Sequence, residues 1–201
     1  MQQRTLAFIG AGNMSRSIIA GLIQAGYPAG RIIAANPSRP KLDELADQFG
    51  IRITQNNAEA AREADVIVLA VKPQLMAAML EALVAELGSL AGKLLISIAA
   101  GIKVERLQEM AGGHSRIIRT MPNTPSLLGL GMTGLYAPTG IEQADRDFAE
   151  QMMQAVGKTL WVAQESGING VIAAAGSAPA YFFLFMQGIA EEAEAMGFTP
   201  E

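Results

Sequence analysis

Short apolar runs alternate along this chain with longer stretches in which apolar residues recur at three- and four-residue spacing. LAFIG (6–10) predicts a strand, and residues 13–25 that follow set Met14, Ile18, Ile19, Leu22 and Ile23 on one face of a helix. RIIAANP (31–37) predicts a second strand and 40–49 a short helix stopped by Gly50, with IRIT (51–54) a weaker third strand. ADVIVLAVKP (64–73) is apolar almost throughout, as a strand must be when helices cover both faces of a parallel sheet. A helix over 74–87, the strand KLLISIAAG (93–101), a helix over 103–110 and the strand RIIRTM (116–121) continue the alternation. The pattern predicts an α/β fold with a doubly wound, mainly parallel sheet.

After MPNTP (121–125) the rhythm changes. GMTGLYAP (131–138), a helix over 141–156 and KTLWVAQ (158–164) predict further strands that finish the sheet. A boundary near Gln164 then divides a domain over 1–164 from a segment over 165–201 that is too short to bury a core without a partner. Residues 166–190 carry no charged side chain and are long enough to span a bilayer. However, no Lys or Arg follows Lys158, and Asn169, Pro179 and Gln187 interrupt the run. It reads as a helix buried within a domain or against a second copy of the chain, so a homodimer or higher homo-oligomer is expected.

Composition narrows the classes. Half of the 201 residues are hydrophobic and the net charge is −4, which predicts no nucleic acid or anionic membrane as a general partner. There are no cysteines, so disulfides and cysteine-ligated metals are excluded, and no metal site is expected. The first apolar run is too short for a signal-peptide core, and the expected location is cytoplasmic.

Chemistry enters with GAGNMS, which follows the first strand and opens a helix. In a Rossmann-type dinucleotide fold the first glycine allows the tight turn, the second lets the backbone approach the pyrophosphate, and the third lets helix and strand pack closely. Here those positions are Gly10, Gly12 and Ser15. A helix N-terminus offers free amides and a positive dipole end to phosphate. At the end of the second strand, where an NAD enzyme carries an acid for the ribose hydroxyls, this chain has Asn36, Ser38, Arg39 and Lys41. No carboxylate there repels a 2′-phosphate, so NADPH is favoured, with NADH possible.

The catalytic repertoire is small. The single histidine, His114, sits in the loop AGGHSR and reads as a surface residue. No lysine lies beyond Lys158, so a catalytic lysine on the long C-terminal helix is absent. Lys72, in AVKP at the carboxyl end of a strand, stands where open α/β sheets bind ligands. A site with no obvious acid suits a C=N acceptor better than C=O, because an imine nitrogen is basic enough to arrive protonated.

These residues resemble the pyrroline-5-carboxylate reductase family. The resemblance rests on FIGAGNM (8–14), AVKP (70–73), SIAAGI (97–102), RTMPNTP (119–125) and AAGSAPAYFF (174–183), in family order and spacing. It implies hydride transfer from NADPH or NADH to the C=N bond of pyrroline-5-carboxylate, giving L-proline, and a C-terminal all-α dimerisation domain whose start is 165–201. It also implies site residues: Ile9, Gly10, Ala11, Gly12, Asn13 and Met14 at the pyrophosphate, Asn36 and Ser38 near the adenosine ribose, beside the Arg39 already read as a cofactor contact, and Asn57 at the adenosine end. Ala70, Val71, Lys72 and Pro73 would line the nicotinamide half, and Ala99, Ala100, Gly101, Met121, Pro122 and Asn123 would shape the pocket around the ring. Lys72 and Ser177 would be the catalytic pair, with Ser177 opening the substrate side.

Three positions depart from the family pattern: Asn169 stands for an acid, Ala175 for a serine and Ala178 for a glycine. The family also continues past the point where this chain ends, into helices that grip the substrate carboxylate, so a truncated or a naturally short form is expected. The alternative reading is an NADP-binding, catalytically impaired relative acting as a binding or assembly module. A third is a different dehydrogenase of the same nucleotide-binding group, which the missing helix lysine disfavours.

Overall fold

The computed structural model describes residues 3–199. Strands β1 (Leu6–Ile9), β2 (Ile32–Ala35), β3 (Arg52–Thr54), β4 (Val66–Leu69), β5 (Leu94–Ser97), β6 (Ile117–Met121), β7 (Gly131–Tyr136) and β8 (Gly157–Trp161) form one sheet in the order β3-β2-β1-β4-β5-β6-β7-β8. All neighbouring pairs are parallel except β6 and β7, which run antiparallel. The last two strands therefore run against the first six. Spacing alone predicts these strands but not their direction, because hydrophobic period carries no sign.

Alternate β1 residues feed opposite faces. Leu6 and Phe8 pack with Ile18 and Leu22 of α1 (Asn13–Gln24) and with Phe148 and Met152 of α6 (Gln143–Gln154). Ala7 and Ile9 join Leu80 of α4 (Met76–Leu87) and Leu107 of α5 (Val104–Met110) on the other side. The remaining sheet helices are α2 (Arg39–Phe49) and α3 (Asn57–Glu63).

Helix α3 is missing from the hydrophobic reading, since Ala-rich NAEAARE has little amphipathic contrast. Its signal is polar instead: the Asn56 side chain accepts hydrogen bonds from Ala58 N and Glu59 N at 2.8 and 3.1 Å, an N-cap followed by an acid in the first turn.

The uncharged stretch is not one regular helix. Helix α7 (Gly167–Val171) widens into a π turn (Ile172–Gly176), and α8 (Ala178–Ala195) follows. Pro179 has no N–H to donate to the Ala175 carbonyl four residues back, so the α pattern cannot pass through it. Ser177 N bonds Ile172 O instead, at 2.9 Å. The run Gly167–Ala195 is long enough to cross a membrane, and its most apolar 18 residues have a mean hydropathy of 1.5 and are mostly exposed.

Two polar clusters pin the layers. Asp145 on α6 is fully buried between Arg4 Nη1 (2.7 Å) and the Nε and Nη2 of Arg116 (2.5 and 2.8 Å). Glu165 Oε1 accepts from buried Arg119 of β6 at 2.9 Å and from Val104 N at the start of α5 at 2.8 Å.

Candidate active site

The turn after β1 is built by backbone constraint. Gly10 has φ +112°, and its N–H donates to Ala35 O of β2 at 2.8 Å. A Cβ at Gly10 would lie 2.6 Å from the Ala70 carbonyl oxygen, so β1 and the end of β4 touch only because no side chain intervenes. Ser15 fits the third glycine position because its hydroxyl turns inward and donates to Gly10 O at 2.7 Å. The departure from glycine thus ties the helix to the turn.

Gly12 is the N-cap of α1 in extended conformation (φ −84°, ψ 177°), no side chain caps this end, and a Cβ there would meet nothing within 4 Å. Open amides at a helix start beside empty space fit a pyrophosphate. Asn36 braces the turn from β2: its Oδ1 accepts from Ala11 N at 3.3 Å and its Nδ2 donates to Ser38 O at 3.1 Å.

These elements enclose a cleft of about 520 Å³ at the carboxyl ends of β1, β2 and β4. The structure brings eight of the residues expected from sequence into its wall: Gly10, Ala11, Gly12, Asn36, Asn57, Ala70, Val71 and Lys72. No carboxylate is among the lining residues. Lys41 lines the cleft, whereas Arg39 lies outside it, in an exposed ion pair with Asp43 at 2.6 Å. Asn13 lines an adjoining groove of about 130 Å³ together with Arg16 and Lys41. Ile9, Met14, Ser38 and Pro73 flank the cleft in sequence and do not line it.

The other expected residues continue the same edge of the sheet. Ala99, Ala100 and Gly101 form the turn after β5, with Gly101 at φ +77°. Met121 ends β6, and Pro122 and buried Asn123 follow. Asn123 Nδ2 donates to Ala175 O at 3.0 Å, which brings the π turn, and with it half-buried Ser177 at the head of α8, against the ends of the strands. Sequence reasoning missed Arg119, Glu165 and Asp145 because buried charges have no periodic signature.

Among the described residues, the groups with a displaced pKa lie away from the cleft. Burial lowers His114, although its Nε2 is 3.0 Å from Lys93 O, and burial lowers Lys93 as well. Burial raises Tyr27, whose hydroxyl bonds the Arg4 backbone. His114 is half-buried rather than a free surface residue, and it precedes β6 at the opposite end of the sheet from the cleft. No His/Cys/Asp/Glu group able to hold a metal occurs among the described residues. The cleft itself offers dipoles, amides and cations, a surface for a phosphorylated anion.

Comparison with known proteins agrees in both halves. A family profile described as NADP oxidoreductase, coenzyme F420-dependent, matches residues 5–101, and one described as pyrroline-5-carboxylate reductase dimerisation matches residues 165–201. The pyrroline-5-carboxylate reductase of Vibrio alginolyticus is 55% identical over 201 residues, covering 100% of this chain and 73% of that protein. The chain belongs to the pyrroline-5-carboxylate reductase family. Among solved pyrroline-5-carboxylate reductases, that of Coxiella burnetii is 41% identical with a TM-score of 0.89, over 98% of this chain and 73% of its own. The Plasmodium falciparum pyrroline carboxylate reductase, solved with NADP bound, is 27% identical with a TM-score of 0.86, over 99% and 72% of the two chains. The chain is an oxidoreductase with the fold of this reductase family.

Proposed function

We propose that the chain reduces 1-pyrroline-5-carboxylate to L-proline, the last step of proline biosynthesis, with NADPH, or NADH, as the reductant. The observation that carries this reading is the cleft at the ends of β1, β2 and β4, where the glycine turn, Asn36, Lys41 and Lys72 meet without a carboxylate. When bound, the nicotinamide supplies a hydride to the imine carbon. The chain's own residues orient and exclude. The amides of Gly12, Asn13 and Met14 take the pyrophosphate at the head of α1, held in place by the Ser15–Gly10 bond. Ile9 and Ala11 set the approach, and Asn57 borders the adenosine end.

Ala70, Val71 and Lys72 line the nicotinamide half, with Pro73 following them in the chain, and Ala99, Ala100, Gly101, Met121, Pro122 and Asn123 close around it. The Ser177 hydroxyl holds the proton on the imine nitrogen, and the Lys72 ammonium at the mouth draws the anionic substrate. Residues 1–164 then act as the dinucleotide domain and 165–201 as the start of the dimerisation domain. The apolar side of α8 packs against a second copy: Phe182, Phe183 and Phe185 are 60–69% exposed in the single chain. In this reading the enzyme is cytoplasmic and uses neither nucleic acid nor membrane. The impaired-relative reading is not favoured, since identity to the Vibrio alginolyticus reductase runs through the entire chain.

The direct test is NADPH consumption on adding pyrroline-5-carboxylate, with NADH in parallel and proline as the product assayed. Absence of turnover with NADPH still bound would reject the reductase reading. Cofactor choice gives a second prediction. The Lys41 ammonium meets the 2′-phosphate together with the Ser38 hydroxyl, while Arg39 is held by Asp43. Lys41→Ala should raise the KM for NADPH by about tenfold, the worth of one charge-assisted bond to phosphate, and leave that for NADH within about twofold. Arg39→Ala should change neither by more than about twofold, as an exposed ion pair implies. A parallel rise for both cofactors in Lys41→Ala would sink the assignment.

A further inference from the structure

We propose that Asn123 is a positioning residue for the substrate side of this site, resting on the reading above: its side-chain amide takes over a backbone bond that Pro179 deletes, and so fixes where Ser177 stands.

Ala175 has no α-helical donor, because the residue four positions on is Pro179. The next amide in line, Ala180 N, bonds Ser177 O at 3.2 Å rather than Ala175. A carbonyl left bare at a half-buried bend is costly, and such groups find partners. Asn123 Nδ2 is that partner, at 3.0 Å and 52 residues away in the chain. Its other end is also engaged, with Oδ1 accepting from Met132 N of β7 at 2.9 Å.

Asn123 is 7% exposed, so its orientation is fixed by these two bonds rather than by water. One side chain therefore joins three pieces of backbone: the loop after β6, the start of β7, and the π turn that precedes Ser177. With Oδ1 and Nδ2 each anchored to the protein backbone, the amide sets the position of the segment it holds. The π turn is the complementary half, since an i→i+5 widening lets Ala175 O point out of the helix towards a foreign donor. Asn123 is thus the pin between the nicotinamide edge of the sheet and the substrate end of α8.

Asn123→Asp separates the two bonds. A carboxylate still accepts from Met132 N but cannot donate to Ala175 O, and it places charge against that oxygen. Asn123→Ala removes both bonds. In Asn123→Asp, amide hydrogen exchange should accelerate over residues 172–183 and stay unchanged over β1 to β6. The kcat/KM for pyrroline-5-carboxylate should fall by about tenfold or more, the scale of a misplaced reacting group, and by a larger factor than the KM for NADPH rises.

Asn123→Ala should show the same local change plus faster exchange at the start of β7. Unchanged exchange over 172–183 in both variants would overturn the proposal. So would a rise in both KM values together with a uniform loss of protection, which is the mark of a merely structural role. If the unsubstituted chain fails to reduce the imine, the functional reading falls, and the exchange comparison alone upholds or overturns the link between Asn123 and the π turn.

Discussion

Gly10→Ala should abolish cofactor binding and destabilise the fold at the same time. The backbone at Gly10 sits at φ +112°, where an L side chain is strained, and the added Cβ would lie 2.6 Å from Ala70 O and 2.8 Å from Ala70 C. Neither atom can retreat, because Ala70 N bonds Ile9 O at 3.0 Å and β1 is paired with both β2 and β4. Backbone strain of about 1–3 kcal/mol and overpacking of about 1–3 kcal/mol act on the same bond. The expected result is a melting temperature lowered by about 10 °C or failure to accumulate as soluble protein, with no NADPH binding by fluorescence titration. A variant that melts like the parent and binds NADPH would show that the turn is built some other way.

The informative contrast is Gly12→Ala, two residues on. Its φ of −84° and ψ of 177° suit any residue, and a Cβ there meets no protein atom within 4 Å. Its melting temperature should stay within about 2 °C of the parent, since no packing or backbone strain is introduced. Its NADPH affinity should nevertheless fall by about tenfold or more, because the Cβ fills the space through which the turn approaches the pyrophosphate. Two glycines in one motif thus separate folding from binding.

That separation explains what the sequence could disclose. Runs such as LAFIG and VIVL declare buried parallel strands because burial on both faces leaves no room for polar residues, and the structure places them side by side as β1 and β4. The cleft residues were legible for a related reason: Gly10, Asn36 and Lys72 sit at strand ends, where chain order fixes location once the sheet order is known. Arg39 and Lys41 were not separable, since both are basic and near the head of α2; only the Asp43 partner of Arg39 distinguishes them. The break at 172–177 was half legible. Pro179 announces a missing donor, but the replacement, Asn123, is 52 residues from the carbonyl it serves, beyond any local pattern. Asp145 is the extreme case. On α6 it follows Ala144 in a polar stretch, yet its carboxylate is 0% exposed, since the two arginines that balance it come from distant parts of the chain.

Asp145→Asn should accordingly be among the most damaging single changes remote from the cleft. The substitution keeps the shape and removes the charge that Arg4 and Arg116 enclose, leaving two guanidinium groups facing each other across a neutral amide. Breaking a buried pair from one side costs about 3–5 kcal/mol, and the partial exposure of Arg116 places the expectation at the lower end, a drop in melting temperature of about 6–12 °C at pH 7. The pH dependence identifies the cause. Burial alone would push Asp145 up, but the hydrogen bonds and charges of Arg116 and Arg4 outweigh it and hold the carboxyl below its ordinary range. A carboxyl depressed in the folded state binds its proton more readily when unfolded, so its contribution is complete above about pH 4 and is lost as pH falls through the lower folded value. The gap between parent and variant should therefore be widest near neutrality and narrow below about pH 4 as the parent loses what the variant never had. Melting curves at pH 7, 4 and 3 check this, and a gap that stays constant to pH 3 would mean that shape, not charge, is what Asp145 supplies.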